Sequence, residues 1–140
     1  MSAPSVHSLS DIPEGTTARL PFRIAAADMD AFARLSGDVN PLHTDDAFAQ
    51  GRGFPGRVVY GGLLVAQVSR LLGMELPGRD GVWMGLRMDF RAPLHIDEDA
   101  VLEAVVDRVS EAVRLVRLKL TIRAGERLIA TGSVESTLNG

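Results

Sequence analysis

The apolar positions of this chain change period twice, and the changes outline its elements. Thr17 to Ile24 reads as a first strand, with Pro21 directing it to a sheet edge, where a missing N–H is tolerated. Asp28 to Ser36 reads as a short helix. Asp28 and Asp30 lie in its first turn, Phe32 and Leu35 form an apolar side, and Gly37 supplies the stop. Asp45 to Gln50 reads as another short helix, with Thr44 as its expected N-cap. Gly51 to Gly56 holds three glycines and a proline in six residues and reads as a loop, a mobile flap or a plain connection.

Gly61 to about Leu76 is the longest helical stretch. Leu63, Leu64, Val65, Val68, Leu71 and Leu72 make it apolar on most sides, so it should be buried and wrapped by a sheet. After Pro77-Gly78 the period becomes two. Met84, Leu86, Met88 and Phe90 alternate with Gly85, Arg87, Asp89 and Arg91. Val101 to Val109, the alternating run around Leu118 to Ile122, and Arg127 to Leu138 add three more strands, the last after a tight Ala124-Gly125-Glu126 turn. One strand, short helices, a buried helix and four strands predict an α+β fold with an antiparallel sheet and its helices on one face. Residues 1–16 read as a loose N-terminal arm and residues 17–140 as a single domain, without repeat or linker.

Composition narrows the function. The 140 residues are 46% hydrophobic and 24% charged, an ordinary globular balance. A net charge of -3 offers no basic footprint for nucleic acid. There is no cysteine, hence no thiolate nucleophile, disulfide framework or Cys-ligated zinc. His7 and His95 lack carboxylate partners at metal-ligand spacing, so neither a metal nor a cofactor is expected. The N-terminus lacks the basic and apolar regions of a secretory signal, and Gly61 to Val68, the longest apolar stretch, is too short for a membrane span. A cytoplasmic enzyme or binding domain is the expectation.

The candidate chemistry lies in residues 35–43, Leu-Ser-Gly-Asp-Val-Asn-Pro-Leu-His. Asp38 and His43 are proton-handling groups on either side of Asn40-Pro41. On a continuous helix they would stand about 140° apart around the axis. Pro41 interrupts a helix and pushes Asn40 toward extended geometry, so a bend can bring the two together. The plain alternative is an Asx-turn aspartate followed by a surface histidine.

The string Ser36-Gly37-Asp38-Val39-Asn40-Pro41-Leu42-His43, with Ala47 and Phe48 following, resembles the MaoC-like, (R)-specific enoyl-CoA hydratase family. Val58 to Leu64 resembles the family's helix-start segment, and Phe90 to Asp99 its strand–turn, so the resemblance covers nearly the whole chain. It implies the hot-dog fold, an antiparallel sheet wrapped around a long central helix. It implies catalytic roles for Asp38 and His43 on a bound water, and an oxyanion-donating backbone N–H at Gly61. Asn40, Tyr60 and Phe54 are expected to bind substrate. Tyr60 is a departure, because the family commonly has His there. The implied substrate is an acyl-CoA or acyl-carrier-protein thioester, and the implied assembly a homodimer. The alternatives are a hot-dog thioesterase, against which stands the absence of any acid from Gly61 to Gly73, and a non-catalytic acyl-thioester-binding subunit.

Overall fold

The computed structural model describes residues 2–139. Its strands are β1 (Thr17–Arg23), β2 (Gly81–Phe90), β3 (Asp99–Ser110), β4 (Leu115–Ala124) and β5 (Arg127–Leu138). Its helices are α1 (Ala26–Ser36), α2 (Pro41–Thr44), α3 (Asp46–Gly51) and α4 (Gly61–Met74). The strands form one antiparallel sheet in the order β1-β3-β4-β5-β2. Pro21 is indeed on an edge strand, paired on one side with Val101.

Alternation decides the inner face. Ala100, Leu102, Ala104 and Val106 of β3 are buried, as are Val116, Leu118, Leu120 and Ile122 of β4. These side chains join Leu64, Val68, Leu71 and Leu72 of α4 in one core. Each fully buried aliphatic side chain is worth roughly 2 kcal/mol, which holds the otherwise weak 14-residue helix in place. Register shifts in β2, β3 and β5 give the sheet the local bends that curling around a helix requires.

The structure corrects two expectations. The N-terminal arm is not loose. The Ser5 N–H donates to Met74 O, Arg79 N–H donates to Ser5 O, and Ile12 is fully buried behind a 3-10 turn at Leu9–Asp11. The second short helix is capped by Asp45, whose Oδ1 accepts the Phe48 N–H at 3.2 Å; Thr44 donates its hydroxyl back to the Asn40 carbonyl instead. Glu98, in the turn before β3, accepts the His95 N–H and pairs with Arg127.

Candidate active site

The loop after α1 is assembled by side chains bonding to nearby backbone. Gly37 closes α1 in the left-handed region at φ 75°, which glycine adopts without strain. Ser36 Oγ donates to Phe32 O at 2.7 Å and accepts the Asp38 N–H at 3.0 Å. Asp38 Oδ1 accepts the Asn40 N–H at 3.0 Å, an Asx turn. Asn40 Oδ1 in turn accepts the Leu42 N–H at 3.0 Å and so caps α2, with Pro41 at its first position, where no N–H is needed. Asn40-Pro41 therefore starts a helical turn rather than making a simple bend, and that turn carries His43.

His43 is half-buried. Its Nδ1 lies 2.7 Å from Val58 O, and its ring stacks on Tyr60 with centroids 4.2 Å apart. A carbonyl oxygen only accepts, so Nδ1 carries the hydrogen and Nε2 of the neutral ring is bare. Asp38 is exposed, and its Oδ2 accepts no hydrogen bond from the described residues. The Tyr60 hydroxyl donates to Asp38 O at 2.5 Å, so both proton-handling residues are tied to one tyrosine.

Gly61 opens α4 with no side-chain cap ahead of it, and its N–H takes no acceptor from the described residues. The helix dipole adds a partial positive charge there. His43, Gly61, Phe54, Val58, Leu64 and Phe90 line one cavity of about 370 Å³. A methyl group on Gly61 would stand 3.0 Å from the Phe90 ring, so glycine is what allows that close packing. Phe54 also borders a second hollow with Asn40, Leu42, Phe48 and Arg52, and so stands between the two. Tyr60 is only 2% exposed, with its hydroxyl bonded inside the protein, which differs from the substrate contact expected of it. Burial, and secondarily the Asp38 charge, push its phenol above the ordinary 10.0.

Arg57 braces the turn that carries His43. Its Nε donates to His43 O at 2.7 Å and its guanidinium pairs with Asp30 at 3.3 Å, clamping α2 to α1. No local pattern marks it, because its partners lie 14 and 27 residues away. Among the described residues, no group of three or more His, Asp or Glu side chains could hold a metal ion. No helix among them is long and apolar enough to cross a membrane.

An antiparallel sheet curled around one helix, with the Asp38–His43 loop tied to the helix start through Tyr60, defines a hot-dog protein. The MaoC-like domain profile matches residues 9–124, and the chain belongs to that family. It is 36% identical over 126 residues to an (R)-specific enoyl-CoA hydratase of Aeromonas caviae, covering 89% of this chain and 94% of the relative. It is 30% identical to a 3-hydroxybutyryl-CoA dehydratase of Methylorubrum extorquens, covering 87% of this chain and 78% of the relative. The solved (R)-hydratase of A. caviae superposes with a TM-score of 0.87 at 36% identity, over 91% of this chain and 98% of that one. The R-hydratase PhaJ1 of Pseudomonas aeruginosa does so with a TM-score of 0.87 at 27% identity, over 93% and 84%.

Proposed function

We propose that this protein hydrates trans-2-enoyl-CoA to (R)-3-hydroxyacyl-CoA, and catalyses the reverse dehydration, with Asp38 and His43 as the proton-handling pair and the Gly61 N–H as the oxyanion donor. Water oxygen bonds to C3 while the C2–C3 π electrons move onto the thioester as an enolate. The water proton passes to the Asp38/His43 pair, and a proton is returned to C2. A fixed N–H at a helix start stabilises the enolate oxygen.

The observation that carries this reading is the 2.7 Å bond from His43 Nδ1 to Val58 O in the cavity that also presents Gly61. It leaves Nε2 as an acceptor where the helix start offers a donor. The identities to CoA-dependent hydro-lyases support CoA as the carrier. An acid-free α4 speaks against the thioesterase alternative. We read the assembly as a homodimer, because edge strand β2 leaves Val82, Met84, Leu86 and Phe90 exposed at 40–62%. We read its location as the cytoplasm.

The test is loss of conjugated-thioester absorbance on adding enzyme to short trans-2-enoyl-CoA, with chiral analysis of the product. An (S)-3-hydroxyacyl product, or release of free thiol without hydration, overturns the reading.

A further inference from the structure

We propose that Tyr60 is the positioning residue of this site: its hydroxyl sets the direction of Asp38 and its ring sets the plane of His43, both relative to the Gly61 N–H next to it in the chain. The proposal rests on the reading of the site given above.

The backbone of Asp38 is held at both ends. Its N–H donates to Ser36 Oγ at 3.0 Å, and its carbonyl accepts the Tyr60 hydroxyl at 2.5 Å. With both peptide groups fixed, the Cα–Cβ direction of the exposed aspartate is fixed too. His43 is held in two ways, at Nδ1 by Val58 O and across its face by the Tyr60 ring at 4.2 Å and 26°. Tyr60 itself is enclosed: Phe32 of α1 packs against it at 4.7 Å and it is 2% exposed. The segment Val58-Val59-Tyr60-Gly61 is anchored in turn by Val58 N–H to Leu42 O and Val59 N–H to Leu94 O.

One short segment thus supplies the acceptor for His43, the stacking face, the tie to Asp38 and the N–H of the helix start. A proton-handling pair misplaced relative to the oxyanion donor by a fraction of an ångström loses rate, since the reacting atoms must meet in one geometry. The phenol is suited to the task because it is a donor while protonated, and burial, and then the Asp38 charge, raise its pKa above the ordinary 10.0.

Tyr60→Phe removes only the hydroxyl. With trans-2-enoyl-CoA the expected result is a kcat lower by about tenfold to 100-fold with KM essentially unchanged. Amide exchange should rise about tenfold at Asn40 and Leu42, whose acceptors are the Asp38 and Asn40 side chains, while Val68 and Leu71 of α4 stay protected and report an intact fold. Tyr60→Leu also removes the ring under His43 and is expected to lower kcat further. If Y60F matches the wild type in kcat and in exchange, or if kcat falls with exchange at Asn40 unchanged, the proposal is overturned while the hydratase reading survives. If the wild type hydrates no enoyl-CoA yet exchange rises in Y60F, the functional reading fails and the positioning role stands. Equal kcat in Y60F and Y60L overturns the part assigned to the ring.

Discussion

His43 gives its Nδ1 hydrogen to Val58 O at 2.7 Å, and this one bond selects the tautomer that leaves Nε2 open. Val58 lies three residues before Gly61, so the atom that orients the imidazole and the N–H at the helix start belong to the same short segment.

Replacing His43 by Ala removes a general acid–base group and one wall of the cavity. We expect kcat to fall by about 100-fold to 10,000-fold, read from the conjugated-thioester absorbance. The fold should persist, because the ring is only half-buried and α2 keeps its Asn40 cap. Wild-type turnover in this variant would remove His43 from the reaction.

Asp38→Asn separates chemistry from loop shape. The asparagine oxygen still accepts the Asn40 N–H, so the turn seen at 3.0 Å should survive. Ionisation is lost, and kcat should drop about 100-fold with a melting temperature near that of the wild type. A variant that melts early instead would mark Asp38 as structural.

Gly61→Ala places a methyl group 3.0 Å from the Phe90 ring. Phe90 is 55% exposed and can swing away, so stability should fall by only about 1 kcal/mol. The displaced ring and the methyl group occupy space beside the helix start, and kcat/KM should fall about tenfold. Adding Phe90→Ala should restore part of it, and a double variant no better than Gly61→Ala would show that Phe90 is not the obstacle.

The exposed side chains of β2 should meet a second copy. Light scattering is expected to give twice the 15.0 kDa of one chain, and Leu86→Lys should return the monomer mass. A monomeric wild type at micromolar concentration would remove the dimer from the reading.

Glu98 ties the turn before β3 to β5. Hydrogen bonding from Arg127 foremost, with a smaller part from the His95 N–H, holds its carboxyl below the ordinary 4.5. A depressed carboxylate stabilises the fold above the unfolded-state pKa and loses that contribution as pH falls from 4.5 through the folded value. Both partners are partly solvated, at 29% and 43%, so the contribution is about 1 kcal/mol or less. Arg127→Gln should therefore be less stable than wild type at pH 7, with the gap closing toward pH 3. Urea midpoints at the two pH values check this, and a constant gap would assign the loss to packing.

Strands β2 to β5 and helix α4 were legible because periodicity is local: each residue declares its face by its neighbours two or four positions away. The Asp38/His43 loop was legible for a related reason, since Gly37, Asn40 and Pro41 each impose geometry on the residue beside them. Local rules erred where two neighbours compete, as in the cap taken by Asp45 rather than Thr44. They also erred where the partner is distant. The burial of Ile12 depends on a segment bonded to Met74, Arg79 and Val106. The tie between Tyr60 and Asp38 spans 22 residues, and its geometry arises only when α1 and the start of α4 pack on the same sheet. Residue types thus carry the chemistry in the linear chain, while the alignment of those groups is a property of packing, because the contacts that set it are non-local.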